Sequence, residues 1–258
     1  MYYKIVIVGA GGTGSHFIAR FSQFLASFDS SHARVDVAVV DGDMVEEGNI
    51  ARQNFGTGDV MQNKAEAIAA AVADTYGLTF HTFPIYINDK HDLDEVFAAF
   101  PGVALHPSLN ILVGACDNHR CRQAMERWFS STRSAVYIDS ANEFSVGEVV
   151  IGIKTNKRLI SPSRKHYFPE IMRDRKKRRS EQSCGAVNKS TPQHIATNCE
   201  AGNIMLSILC QLLSDGKISG GIIYFDTFEY SKVFRKWEGA VDNEADKQKT
   251  ACDDRDAV

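Results

Sequence analysis

The sequence predicts an α/β fold: a doubly wound, mainly parallel sheet with antiparallel strands toward its C-terminal end. Three observations predict it. From residue 3 to residue 139, short β-branched runs alternate with amphipathic helical stretches, the pattern of strands joined by covering helices. The first run, "YKIVIV" at 3–8, passes through a glycine cluster straight into a helix. From residue 146 the pattern turns to period-two alternation, as in antiparallel strands.

The elements follow in order. After the strand at 3–8, a helix carries Phe17, Phe21, Phe24 and Phe28 at spacings of three and four, which makes one apolar face. "VDVAVV" (35–40) is the second strand. "NKAEAIAAAVADTY" (63–76) is an alanine-rich helix stopped by Gly77. "LTFHTFPIYI" (78–87) reads as a strand, and its proline points to a sheet edge. A short helix at 93–100, a strand at 110–116, a helix at 119–130 and a strand at 135–139 complete the alternating half. Sheets of this type bind ligands at the carboxyl ends of their strands.

The second half differs. Residues 146–154 and 220–234 alternate like antiparallel strands, and a helix is expected at 193–213. Between them, 155–193 is a long polar segment with the basic run "RDRKKRR" (173–179), and it is expected to be mobile. From Glu238 the tail holds seven acidic and three basic residues and is expected to be disordered. The reading is one domain over 1–238 and a tail over 239–258, without internal repeats.

Composition narrows the classes. The formal charge of −3 gives nucleic-acid binding no global support, and the basic run lacks an aromatic platform. No apolar run reaches membrane-spanning length, and a glycine loop stands where a signal peptide would need its cleavage site. The expected location is cytoplasmic. The six cysteines, 116, 121, 184, 199, 210 and 252, form no C-x-x-C, so neither structural zinc nor a disulfide framework is expected.

Gly9, Gly11 and Gly14 satisfy G-x-G-x-x-G, with Gly12 between them. Placed between strand and helix, such a loop lets backbone approach phosphates at a helix N-terminus. No G-K-[ST] follows, which excludes a Walker loop. Asp41 ends the second strand, where a Rossmann-like fold places its ribose-binding carboxylate. To this point NAD and ATP are equal. Asn49, Arg52 and Gln53 then follow in "DGDMVEEGNIARQNF" (41–55), Lys64 opens the next helix, and Asp117 follows the strand at 110–116. Hydride transfer has no use for them. A site that cleaves ATP does: Arg52 and Lys64 can offset charge as pyrophosphate leaves, and Asp117 can bind Mg²⁺. Singly, each has a plainer reading; Asp117, for example, could cap the helix at 119.

The motifs "GAGGTGS" (9–15), "DGDMVEEGNIARQNF" (41–55), "NKAEA" (63–67) and "ACDNHRCR" (115–122) resemble, in order and spacing, the ThiF/MoeB/ubiquitin-activating-enzyme superfamily. Within it, the short ThiF-like proteins of bacterial PRTRC operons are most similar. The resemblance implies ATP- and Mg²⁺-dependent adenylation of the C-terminal glycine of a small ubiquitin-like protein, followed by transfer to sulfur. It implies that Gly9, Gly11, Gly12 and Gly14 line the nucleotide and that Asp41 holds the ribose. It implies that Asn49, Arg52, Gln53 and Lys64 contact or position the phosphates and that Asp117 serves the metal or the reacting phosphate. Asp43 matches the second acid of the family's D-x-D, its role open. A homodimer and a conjugating-enzyme-like acceptor are implied as partners. An arginine that longer members place ahead of the first strand would here be absent or replaced, and their paired C-x-x-C zinc ligands are missing.

Cys184 lies in the polar stretch "SEQSCGAVNKSTPQHIATN" (180–198), which resembles the cysteine loop of the activating enzymes. Arg178, Arg179 and Lys189 nearby would favour its thiolate. Its alternatives are an unreactive loop thiol, with Cys199 as the rival nucleophile. Two other functions stay open: a non-catalytic ThiF-like scaffold that binds nucleotide or a partner, and an NAD-dependent oxidoreductase.

Overall fold

The computed structural model describes residues 1–29, 33–101, 107–174 and 193–239. Its parallel strands are β1 (Tyr2–Val8), β2 (Arg34–Val40), β3 (His81–Phe83), β4 (Ser108–Gly114) and β5 (Ala135–Asn142). The antiparallel strands are β6 (Val146–Thr155), β7 (Arg158–Ser161), β8 (Gly221–Asp226) and β9 (Ser231–Lys236). They form one sheet in the order β3-β2-β1-β4-β5-β6-β8-β9, with β7 paired to β6. The helices are α1 (Gly12–Ser27), α2 (Lys64–Tyr76), α3 (Lys90–Ala98), α4 (His119–Ser131), α5 (Arg164–Tyr167) and α6 (Ile195–Asp215). The predicted α/β class, mainly parallel with antiparallel strands toward the C-terminal end, is the one observed.

Strand chemistry explains the layers. Along β1, Ile5 and Ile7 join the core under α1, α2 and α6, while Val6 and Val8 join the core under α3 and α4. A strand covered on both faces needs apolar side chains at consecutive positions, which "IVIV" supplies. The phenylalanine face of α1 is a ladder: Phe17 and Phe21 stack with centroids 5.4 Å apart, and Phe24 and Phe28 continue it at 5.5 Å. Phe17 and Phe21 are fully buried, each contributing about 1.5–3 kcal/mol. Asn63 caps α2 by accepting from the Ala65 and Glu66 amides, and Gly77 ends it at φ 66°.

Two expectations need correction. The strand expected over 78–87 is only His81–Phe83. It is an edge strand, but the chain after Pro84 leaves the sheet and turns toward the ligand side. The polar segment over 155–193 is structured in its first part, with β7, α5 and a 3-10 turn at Pro169–Arg173. Its polarity misleads because Ser161, Ser163 and Arg164 are buried in hydrogen bonds rather than solvated. Residues 220–234, expected to alternate like antiparallel strands, do so as the hairpin of β8 and β9. Cys184, most of the basic run and the tail from 240 lie outside the described residues. Among those residues, no helix is long and apolar enough to cross a membrane.

Candidate functional site

The strand order turns at β1: the chain runs outward to β2 and β3, then returns to β4 on the other side. Such a switch point opens a crevice at the strands' carboxyl ends. Here it holds a cleft of about 530 Å³, within the roughly 300–1,000 Å³ of small-molecule sites.

The glycine loop forms one wall. Gly9 turns out of β1 at φ 99°, and a Cβ on it would come 2.7 Å from the Ala115 carbonyl. Gly11 precedes α1 without a side-chain cap, so first-turn amides are left for another acceptor. A Cβ on Gly11 would meet no atom within 4 Å, which is open space in the cleft. Gly12 also lines the cleft. Gly14 does not: a Cβ there would lie 1.9 Å from the Gly9 carbonyl oxygen, so its place is behind the loop, packing helix onto strand.

Asp41 ties that loop to the next. Its Oδ2 accepts the Ala10 amide at 2.7 Å and its Oδ1 the Asp43 amide at 2.8 Å. Burial pushes its carboxyl above the usual range, against the pull of those amides and of Lys64. Asp43 lies 3.3 Å from the buried Lys64 ammonium and accepts the Tyr86 hydroxyl at 2.6 Å. Asn63 explains why Lys64 is there, since its amide donates to the Asp41 and Asp43 carbonyls while its oxygen caps α2.

Asn49 builds the turn that delivers Arg52 and Gln53. It is buried, its Oδ1 accepts the Glu46 amide at 3.1 Å, and its carbonyl accepts the amides of both Arg52 and Gln53. From α1, Ser15 Oγ accepts the Asn54 amide, and His16 Nε2 lies 3.3 Å from the Arg52 carbonyl. Burial lowers the His16 pKa, so the ring is neutral at pH 7 and donates through Nε2. The Arg52 guanidinium lines the cleft and has no partner among the described residues. Gln53 Oε1 is buried there, also without one.

Opposite, β4 ends and α4 begins. Asn118 caps α4 by accepting the Cys121 amide at 2.8 Å, so the capping role open to Asp117 is already filled. Asp117 is exposed at the cleft, and among the described residues its carboxylate has no partner. Every sequence-predicted site residue among the described residues, except Gly14, therefore lines one cleft. Cys199 does not line it, and burial raises its thiol. Among the described residues no three His, Cys, Asp or Glu form a ready metal cluster.

Sequence reasoning missed several lining residues. Tyr86 covers Gly42, where a Cβ would come 2.7 Å from its ring. Thr13, Asn142 and Asn198 make a hydrogen-bonded group: Asn142 Nδ2 donates to Asn198 Oδ1 at 2.7 Å, and Thr13 Oγ1 to Asn142 Oδ1 at 3.2 Å. Arg122 and Ser140 form the floor. Thr13 and Arg122 gave a sequence signal, Thr13 inside the "GAGGTGS" motif and Arg122 as a cation inside "ACDNHRCR" between residues of the buried helix face.

Comparison with known proteins fits this architecture. The chain matches the ThiF family across residues 2–243 and belongs to it. No curated protein matches it significantly. Among solved structures, Escherichia coli MccB with ATP superposes with a TM-score of 0.61 at 18% identity, covering 90% of this chain and 63% of that one. MccB of the same organism with AMPCPP and MccA gives 0.60 at 17% identity, with 90% and 63% covered. PaaA gives 0.61 at 14% identity, again with 90% and 63% covered. The chain thus spans about 63% of the length of these neighbours, and at such identities they share its fold.

Proposed function

We propose that the protein is an ATP- and Mg²⁺-dependent adenylyltransferase that activates the C-terminal glycine carboxylate of a ubiquitin-like protein. The observation that carries this reading is the convergence, in one cleft, of the uncapped α1 N-terminus with Arg52, Lys64 and Asp117. ThiF membership supports it, as do structural neighbours solved with ATP and with AMPCPP and MccA.

The residues fit the nucleotide. The space at Gly11 admits phosphate against backbone, and the free α1 amides face it. Asp41 Oδ atoms keep lone pairs for ribose hydroxyls after accepting two amides. The orphaned Gln53 Oε1 offers one more acceptor. Mg²⁺ takes one or two carboxylates and completes its shell with phosphate and water, so Asp117 meets its requirement without a three-residue cluster. When bound, the metal neutralises developing phosphate charge.

In the reaction, a carboxylate oxygen of the protein substrate attacks the α-phosphorus. The bridging bond to the β-phosphate breaks, and pyrophosphate carries its electron pair away. No general base is needed, because the carboxylate is already ionised at neutral pH. Arg52 and Lys64 stabilise the charge that builds on the transferring and leaving phosphates. Asn49 and Gln53 hold the turn and the phosphates in register. Asp43 positions Lys64. We assign the onward step to Cys184: its thiolate attacks the acyl carbon, AMP leaves, and a thioester forms, from which a conjugating-enzyme-like protein accepts the acyl group. The reading includes a cytoplasmic homodimer.

Calorimetry with ATP·Mg²⁺, NAD⁺ and NADH on wild type and Asp117→Ala tests the first step, followed by ATP–pyrophosphate exchange with candidate partners ending in glycine. ATP binding weakened by the substitution supports adenylation. NAD binding indifferent to Asp117 overturns it in favour of an oxidoreductase. ATP binding without exchange for any partner favours the scaffold.

A further inference from the structure

Below the cleft runs a buried ionic chain that the reaction above does not use. Arg164 opens α5 and is 2% exposed. Its Nε donates to Asp139 Oδ2, its Nη1 donates to Glu148 Oε1 at 2.5 Å, and its Nη2 donates to the Asp139 carbonyl at 3.0 Å. Its guanidinium lies over the Phe168 ring, 5.2 Å from the centroid. Asp139, on β5, is 1% exposed. Gly114 makes room for it, since a Cβ there would come 2.5 Å from Asp139 Oδ1.

Asp139 has a second cation in reach. Arg122 Nε lies 3.5 Å from Asp139 Oδ2, without a hydrogen bond. The Arg122 fork is committed elsewhere: Nη2 donates to the Cys116 carbonyl at 2.7 Å and the Ser140 carbonyl at 2.9 Å. Arg122 therefore stitches the end of β4 to the end of β5, one residue before Asp117.

The two arginines compete for one carboxylate. A buried carboxylate beside a single guanidinium closes onto it as a bidentate pair. Without Arg164, that closure would turn the Arg122 fork toward Asp139 and away from the Cys116 carbonyl. We propose that Arg164 is a positioning residue: by holding Asp139, it keeps Arg122 on the Cys116 carbonyl and fixes the loop that presents Asp117 to the cleft. What the loop presents Asp117 to, a metal-bound nucleotide, rests on the proposed function; the positioning does not.

Arg164→Met in the full chain tests it. Hydrogen exchange at the Ala115, Cys121 and Arg122 amides, which bond the Val8 carbonyl and Asn118 at the two ends of that loop, should accelerate about tenfold or more, with the β1 amides unchanged. In calorimetry, the gain in ATP affinity on adding Mg²⁺ should fall about tenfold, while metal-free ATP affinity stays within about twofold. A merely structural role would lower both affinities together. A folded Arg164→Met protein with unchanged loop exchange overturns the proposal, as does an equal loss of both affinities. If Arg164→Met does not fold, Glu148→Gln removes charge from one arm of Arg164 at a part-exposed position and should give the same pattern at smaller amplitude; unchanged exchange there overturns the proposal too. A wild type that ignores ATP·Mg²⁺ would sink the proposed function, and the exchange readout would still decide the positioning.

Discussion

The Asp41 carboxylate holds the Ala10 amide at 2.7 Å, which joins the end of β2 to the glycine loop. It does so while burial raises its pKa above the ordinary carboxylate value. A carboxyl with a raised native pKa binds its proton more tightly folded than unfolded. Its contribution is therefore fully present below the unfolded value, near 3.9, and is lost as pH rises through the native value. Asp41→Asn should flatten that part of the stability profile, read by denaturant melts from pH 3 to pH 8. The same variant turns one acceptor into a donor facing an amide and should weaken ATP roughly ten- to hundredfold. A variant that binds ATP like wild type would show that Asp41 serves the loop alone.

Glu126 separates pH dependence from the site. It is 1% exposed on α4, and its oxygens accept the Ser163 hydroxyl at 2.6 Å and the Lys165 amide at 3.1 Å. Burial raises its pKa against those two donors. The sign is that of Asp41: stability falls as pH climbs from the unfolded glutamate value through the native one. Glu126→Gln keeps an acceptor for the Lys165 amide and lets Ser163 rotate to accept. It should remove part of the slope and leave nucleotide affinity unchanged. Loss of affinity in this variant would mean that the α4–α5 contact reaches the cleft.

Two glycines divide fold from function. At Gly14 an added methyl would sit 1.9 Å from the Gly9 carbonyl oxygen, and both partners are backbone. Gly14→Ala should therefore cost about 3 kcal/mol or more, seen as a lowered Tm. At Gly11 the methyl enters the open cleft. Gly11→Ala should leave Tm nearly unchanged and weaken ATP by filling the space that phosphate would take. Equal effects of the two substitutions would contradict this division.

These contrasts show what a linear reading can reach. β1, β2 and β4 were legible because strands covered on both faces must be apolar at nearly every position, and each ends at the switch point. The glycine loop, Asp41 and Asp117 were legible as a cleft because each follows a strand that ends at the switch point, Lys64 because it opens α2, and Arg52 because it lies in the motif that continues from β2. β7 and α5 were not, because Ser161 is buried by bonding the Ile151 carbonyl on the neighbouring strand, and Ser163 and Arg164 by pairing with Glu126 and Asp139, 37 and 25 residues away. Asn142 and Asn198 meet across 56 residues, and single asparagines carry no periodic signal. Tyr86 reaches Asp43 only because Pro84 ends β3 early, a boundary that the apolar run conceals.

Arg52 and Lys64 should behave differently although both are assigned to phosphates. Arg52 has no partner for its guanidinium among the described residues, and it is half-buried at the cleft. Removing it takes nothing from the unliganded fold. Arg52→Ala should keep its Tm within about 1 °C and lower pyrophosphate exchange about a hundredfold, the usual cost of a lost charge-stabilising donor. Lys64 is 7% exposed and paired with Asp43 at 3.3 Å, so Lys64→Met also leaves Asp43 with Tyr86 as its one side-chain partner among the described residues. It should lose activity on the same scale and about 1–3 kcal/mol of stability besides. Asp43→Asn then isolates the pair, because it frees Lys64 without removing it. If Lys64 needs Asp43 only for placement, Asp43→Asn should raise the KM for ATP and largely spare kcat. A fall in kcat as large as that of Lys64→Met would instead put Asp43 itself at the reacting phosphates.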